Sequence, residues 1–292
     1  MTVAPATVGG TCAERATLLL TSAFADLSRA EAPRDARERV GVLLAVDILA
    51  PTVLPRQFLD AIAPVARLDC ERLEAATTFA TSLSAERTVV ESSDSSAVAR
   101  LLGLASMWLT HDEVDCCWVG GLGMGCDEAS LLWRRRLGLT LGQSDEGIVP
   151  GEAAAFVELR RTGRTSLIAT AHYVRLPAID HPADLPLQSP LERALESVLT
   201  TSETGCSRVI LDSNGYPNRK EEWQLASSRT LGRRSLSPRT EEPLLGLGDV
   251  GAATLPLLLG LEHENHEPGS SLIALAHAFS PGRAAVTLET IP

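Results

Sequence analysis

Runs of consecutive apolar residues alternate with helical periods along the first half of the chain. The runs RVGVLLAVDI (39–48) and VDCCWVGG (114–121) predict buried strands, the second ending in a turn at its two glycines. The β-branched run RTVVESS (87–93) predicts a further strand. Residues 97–110 carry apolar side chains at helical spacing on most faces, which predicts a helix buried on most sides.

The second half continues the alternation. The segments GEAAAFVELRR (151–161) and RTSLIATAHYVRL (164–176) predict two strands joined by a hairpin-like turn. The other predicted elements are a helix at 191–200, a strand leading into a turn at 207–215, a polar loop at 229–242, an apolar helix at 251–261, and a closing pair of strands at 270–279 and 283–289. Alternating helices and buried strands predict a layered α/β fold.

Composition narrows the class of protein. A chain of 292 residues with 45% hydrophobic content can bury a large core. The net charge of -11 argues against a nucleic-acid surface, which needs clustered basic residues. The longest apolar run, at 250–261, is shorter than a membrane span and contains Pro256. The N-terminal residues lack the pattern of a secretion signal, so we expect a soluble and by default cytoplasmic protein.

Several smaller patterns could carry chemistry, but each also has a structural explanation. The spacing of the six cysteines matches no zinc site, and Cys116 and Cys117 in an apolar strand are typical of packing residues. GLGDVG (246–251) matches a dinucleotide motif but does not follow a good strand. HENH (263–266) is more typical of a solvated loop than of a metal site, and RRR (134–136) of a solvated helix face. We therefore expect no cofactor and no metal.

The polar turn SSDSSA (92–97) precedes the apolar helix and allows two interpretations of Ser95. Ser95 or Asp94 could cap the helix by accepting backbone N–H bonds. Ser95 could instead be a nucleophile, which would require a neighbouring base. Of the six histidines, His277 in the terminal strand is the least unsuitable as that base, but a histidine packed at a strand end and bonded to the backbone is the favoured explanation for it.

Four segments in order resemble the β-ketoacyl synthases of the thiolase superfamily. They are the Ser95 helix with the strand EVDCCWVGG, then EGIVPGEAAAFVELRR (146–161), GLGDVGAATLPLLLG (246–260) and ALAHAFSPGRAAVTLE (274–289). The resemblance extends from about residue 39 onward. It implies a thiolase-like layered αβαβα fold, formed by one domain over 1–292 with two pseudo-repeated halves, about 1–162 and about 163–292.

The resemblance also locates the family's catalytic residues, a cysteine and two histidines. It places Ser95 at the cysteine, Asp212 at the first histidine (or Ser213 if the register slips by one), and Asp249 at the second. Two carboxylates would repel the negative charge that develops during condensation, so the resemblance implies that condensing activity is lost. We expect the two aspartates to converge near Ser95, with Arg219 as a counter-charge. The expected donors are backbone N–H groups at the start of the Gly251 helix, Asn214, or the hydroxyls of Ser95 and Ser96.

Two functions follow from this interpretation. The first is a catalytically inactive ketosynthase-like protein that acts as a binding or assembly partner, in a polyketide or fatty-acid-type system or in a secretion-effector system. The second is a serine-dependent acyltransferase or hydrolase that uses Ser95 on the same fold. The resemblance further implies a homodimer paired through the strand at 87–93, and a protein partner that could be an acyl carrier protein.

Overall fold

The computed structural model describes residues 10–30, 38–47, 59–93, 96–136, 138, 140–141, 147–161, 167–175, 189–201, 206–215, 217–265, 270–276 and 282–290. Its helices are α1 (Cys12–Ala30), α2 (Leu59–Ser82), α3 (Ala97–Thr110), α4 (Glu128–Arg136), α5 (Pro190–Thr201), α6 (Pro217–Thr230), α7 (Leu244–Leu247) and α8 (Thr254–Asn265). Its strands are β1 (Val40–Asp47), β2 (Arg87–Ser93), β3 (Cys116–Met124), β4 (Glu152–Arg160), β5 (Leu167–Arg175), β6 (Arg208–Leu211), β7 (Arg239–Glu241), β8 (Ser270–Ala276) and β9 (Gly282–Thr290).

The strands form two sheets with related strand orders. The first sheet has the order β2-β1-β3-β4, in which β1 is parallel to β2 and β3, and β4 is antiparallel to β3. The second has the order β5-β9-β8-β6-β7, in which β6 is parallel to β7 and β8, and β9 is antiparallel to β8. The series β2-β1-β3-β4 and β7-β6-β8-β9 therefore repeat one pattern, and β5 extends the second sheet.

Five layers of helix and sheet are recognisable from the packing. The central cluster joins buried residues of both sheets to Val98 and Leu101 of α3 and to Leu255 and Leu258 of α8. Helices α1 and α2 pack on the first sheet through a second cluster, and α5 and α6 pack on the second sheet through a third. The predicted αβαβα order is confirmed. It supports our proposal that residues 1–292 form one domain.

The two central helices differ in how fully they are covered. Helix α8 is buried over most of its length, as its sequence predicted. Helix α3 buries eight of its residues but leaves one stripe exposed, on which the Met107 side chain is 46% accessible. The prediction that α3 would be buried on most sides is therefore correct for the faces that contain these eight residues, and the stripe with Met107 is the exception.

Strand β3 continues beyond the turn that its glycines predicted. It runs to Met124 and is buried throughout. A Cβ on Gly121 would overlap the backbone carbonyl of Ala252, and a Cβ on Gly123 would overlap that of Val250. These glycines are in the strand because the turn leading into α8 crosses it at backbone contact, and that contact leaves no room for side chains.

Two other local predictions were wrong. Strands β4 and β5 do not form a hairpin, since β4 pairs with β3 and β5 pairs with β9 in the other sheet. The predicted loop at 229–242 contains the end of α6, a 3₁₀ turn at Gly232–Arg234 and the edge strand β7. In the described part of the chain, no helix is long and apolar enough to cross a membrane.

Candidate functional site

Asp212 begins a buried polar segment at the carboxyl end of β6. Asp212, Ser213 and Asn214 follow the strand directly, and all three side chains are buried. Gly215 comes next with a φ of 91°, a left-handed conformation that glycine adopts without strain. The segment therefore turns sharply and keeps its polar side chains inside the protein.

The carboxylate of Asp212 is paired with a buried arginine. Arg219 of α6 places Nη1 3.5 Å from Asp212 Oδ2, and the same nitrogen donates a hydrogen bond to the backbone carbonyl of Asp212. The counter-charge predicted from Arg219 is confirmed. The Asn214 side chain, also predicted as a donor, makes no hydrogen bond within the described residues through either of its amide atoms.

A small cavity adjoins this ion pair. Its volume is about 10 Å³, enough for a single water molecule. The lining residues are Leu191, Leu211, Asp212, Ser213, Arg219, Trp223 and Ala274. Both members of the ion pair therefore line this cavity.

Asp249 is paired with a different arginine. It precedes the 3₁₀ turn Gly251–Ala253, and Arg134 Nη2 lies 3.2 Å from its Oδ2. Arg134 is buried, so the expectation that residues 134–136 form a solvated face holds for Arg135 and Arg136 but is wrong for Arg134. The guanidinium lies close to Gly125, where a Cβ would be 2.7 Å from Arg134 Nη1.

Sequence reasoning missed a further carboxyl group beside Asp249. Asp47 ends β1 and is only 2% exposed, and a Cβ on Gly251 would overlap its carboxylate. Burial raises the pKa of Asp47 well above its usual range, and the charge of Asp249 adds to the rise. The sequence feature that could have indicated this buried carboxyl group is the aspartate at the end of the otherwise apolar run VGVLLAVD.

A second buried ionic group lies next to this one. Arg72 of α2 is fully buried, with Nη1 2.6 Å from Asp69 Oδ1 and Nη2 bound to Asp127. Asp127 also accepts a hydrogen bond from the backbone N–H of Ser130 in the first turn of α4. This group ties α2 to the start of α4, the helix that carries Arg134.

The remaining sequence candidates are placed as follows. Ser95 and His277 lie outside the described residues, so the convergence of Ser95 with the two aspartates stays a prediction. Ser96 is the N-cap residue of α3, where its side chain makes no capping hydrogen bond in the described structure.

His263 lies in the last turn of α8, not in a loop. Cys116 and Cys117 are buried, and burial raises the pKa of Cys117 to about 12, which confirms their role as packing residues.

The arrangement has limited chemical capacity. Asp212 and Asp249 are buried carboxylates, each held by its own guanidinium, and neither position supplies an imidazole that could donate to an enolate oxygen. Among the described residues, no group of three or more His, Cys, Asp or Glu side chains could hold a metal ion.

Solved structures similar to this chain include ketosynthases. A β-ketoacyl synthase from Burkholderia phymatum STM815 matches with a TM-score of 0.71 at 14% identity, over 100% of this chain and 87% of that one. A type II polyketide ketosynthase, solved with its acyl-carrier protein and bound to the hexaketide, gives 0.69 at 16% identity, over 96% and 84%. The ishigamide ketosynthase/chain length factor gives 0.61 at 14% identity, over 91% and 76%. The chain therefore has the thiolase-like fold of the ketosynthases.

The likeness is confined to the fold. No family model matches the sequence, and no curated protein matches it. These similarities therefore show the fold of the chain and not its activity.

Proposed function

We propose that this chain is a ketosynthase-like protein without condensing activity, which acts as a binding or assembly partner. The observation that carries the proposal is the pair of buried ion pairs, Asp212–Arg219 and Asp249–Arg134. They occupy the two positions at which the resemblance expects the histidines of a ketosynthase.

The physical argument concerns the charge that each position presents. Condensation needs hydrogen-bond donors aimed at a developing oxyanion, in a site where no reorganisation is required. At Asp212 and Asp249, a carboxylate held by a guanidinium presents hydrogen-bond acceptors to such an oxyanion and not donors. Removing either partner would leave a buried charge uncompensated, so these pairs are costly to rearrange during a reaction. Both positions therefore contribute to structure rather than to condensation.

We expect the purified protein to form no β-ketoacyl product from malonyl and acyl thioesters, carried on either acyl carrier protein or coenzyme A. The assay is mass spectrometry of the thioester pool, with an active ketosynthase as the positive control. Product formed by the pure chain at a rate above that of the substrate blank would contradict the proposal.

The serine-dependent alternative predicts a different result in a second assay. An activated Ser95 would react with a serine-directed fluorophosphonate probe, because a hydroxyl that is deprotonated by a neighbouring base is nucleophilic. We expect no labelling above that of the Ser95→Ala variant. Labelling that Ser95→Ala abolishes would favour an acyltransferase or hydrolase over the binding role.

Two kinds of partner fit the proposal. The first is an acyl carrier protein, because one of the similar structures is a ketosynthase solved with its acyl-carrier protein. The second is another copy of this chain. Strand β2 is at an end of the first sheet and pairs only with β1 in the described structure, so one of its edges is open to strand pairing.

We expect a homodimer that pairs through β2. Light scattering coupled to size-exclusion chromatography should then give about 62 kDa, twice the 31.0 kDa of the chain. A wild-type mass near that of one chain at micromolar concentration would refute the dimer.

A further inference from the structure

The outer edge of β2 can accept a further strand. In the described structure β2 pairs only with β1, and the N–H of Glu86, just before β2, donates to the first residue of β1. Along an extended strand, the backbone groups of successive residues point to opposite sides. The N–H and C=O groups of Arg87, Val89 and Glu91 therefore point away from β1, towards the open edge.

The side chains of these three residues all face α3. Arg87 lies over the ring of Trp108, with Cζ 5.5 Å from the centroid. Glu91 forms an ion pair with Arg100, and Val89 packs against the central cluster. The Arg87 side chain is still 46% exposed, and Oε1 of Glu91 makes no hydrogen bond among the described residues. The open edge therefore carries one positive and one negative side chain, two positions on either side of a valine.

We propose that β2 pairs antiparallel with β2 of a second copy about a two-fold axis at Val89, so that Arg87 of each chain lies opposite the partner's Glu91. The inference rests on the homodimer proposed above and specifies its surface. A two-fold interface must be self-complementary, and opposite charges directly across two strands stabilise their pairing. Centring the pair on Val90 would instead place Arg87 opposite the partner's Ser93 and Val89 opposite the partner's Glu91. Only the axis at Val89 opposes the two charges.

The exposed stripe of α3 extends the same surface. Arg100, which binds Glu91, lies on this stripe, and Gly103 and Met107 follow it at helical spacing. A two-fold axis perpendicular to the sheet keeps both copies of α3 on one side of the joined sheet. A Cβ on Gly103 would meet no atom within 4 Å, so a neighbouring helix has room to approach there, and the exposed Met107 offers it apolar contact. The second copy would therefore cover the side of α3 that its own chain leaves open.

The test reverses each charge and then mixes the two variants. Arg87→Glu would set two carboxylates opposite each other, and Glu91→Arg two guanidiniums, so each variant alone should raise the dimer dissociation constant about tenfold or more. The variants also lose the pairs within the chain to Glu113 and to Arg100. Mixing restores neither of those pairs, but it opposes unlike charges at both contacts between the chains. We therefore expect the equimolar mixture, measured by sedimentation equilibrium, to form a heterodimer with nearly the wild-type dissociation constant.

The matched control reverses an exposed ion pair that packs on the second sheet. Arg233 is 68% exposed and pairs with Glu196 of α5. Arg233→Glu and Glu196→Arg should dimerise like the wild type, alone and mixed. If Arg87→Glu and Glu91→Arg also dimerise like the wild type, or if their mixture does not recover, the proposed register is overturned and the homodimer stands. A monomeric wild type would refute both.

Cysteine variants test the register if the charge variants do not fold. Residues opposed at a hydrogen-bonded position have Cα atoms about 5.5 Å apart, within reach of a disulfide. Val89→Cys should therefore give a covalent dimer in oxidised glutathione, with the bond mapped by mass spectrometry to position 89 of both chains. In this register the two copies of residue 90 are diagonal neighbours about 7–8 Å apart, so Val90→Cys is the control and should not link at that position. Linkage through position 90, or none through position 89, would overturn the proposal.

Discussion

The Gly121→Ala variant is expected to be strongly destabilised. The added methyl group would overlap the backbone carbonyl of Ala252, and a backbone atom cannot move aside as the end of a flexible side chain can. Gly121 lies in the middle of β3, which pairs with strands on both sides, and Ala252 belongs to the turn that begins the central helix. Relief of the overlap would therefore have to separate two buried layers.

The expected cost is at the upper end of the range for overpacking. Extra methylene groups in a well-packed core cost typically about 1–3 kcal/mol, and this overlap with backbone should cost about 3 kcal/mol or more. Since whole domains are stable by only about 5–15 kcal/mol, such a loss is a large part of the total. Urea unfolding followed by circular dichroism, together with the soluble yield, would measure it.

Gly260→Ala is the matched control for this experiment. Gly260 lies in α8, and a Cβ there would meet no atom within 4 Å. Alanine is favoured over glycine in a helix by about 1 kcal/mol, so this variant should be as stable as the wild type or more so. If Gly121→Ala were as stable as Gly260→Ala, that result would contradict the backbone contact between β3 and the turn before α8.

The fold was predictable where the apolar pattern alone decides the element. The strand at 87–93 and the helix at 97–110 have the predicted bounds, because β-branched alternation and a helical period are local properties of the sequence. The end of β3 was not predictable in this way. Glycines normally indicate a turn, and only the crossing of a distant segment explains why two of them continue a strand. The β4–β5 hairpin failed for a similar reason, since the partner of β5 is more than 100 residues further along the chain.

The candidate site was predictable only in part. The resemblance located Asp212 and Asp249, and the short distance along the chain from Asp212 to Arg219 made that pair foreseeable. The pair between Arg134 and Asp249 spans 115 residues and depends on how α4 packs against the turn before α8. Arg134 is one of three consecutive arginines at a helix end, and such a run indicates a solvated helix face. Asp47 was missed because one aspartate at the end of an apolar strand usually belongs to the following turn.

The Arg72→Met variant should be the other strongly destabilised one. Arg72 is the fully buried cation of its ionic group, bound to Asp69, Asp127 and the hydroxyl of Ser130. Methionine retains much of the side-chain volume but leaves two carboxylates without their guanidinium. Removing one partner of a buried ion pair costs about 3–5 kcal/mol, because the remaining charge is uncompensated. Urea unfolding at neutral pH would measure this loss.

Arg29→Met provides the comparison that separates burial from the loss of a positive charge. Arg29 is also helical and paired, with Nη2 2.9 Å from Asp26 Oδ1, but its side chain is 70% exposed. An exposed pair contributes at most about 1 kcal/mol, so this variant should unfold close to the wild-type midpoint. Adding Asp127→Asn to Arg72→Met should recover part of the stability by removing one uncompensated charge. Equal losses in Arg72→Met and Arg29→Met, or no recovery in the double variant, would show that Arg72 is not the counter-charge that joins α2 to α4.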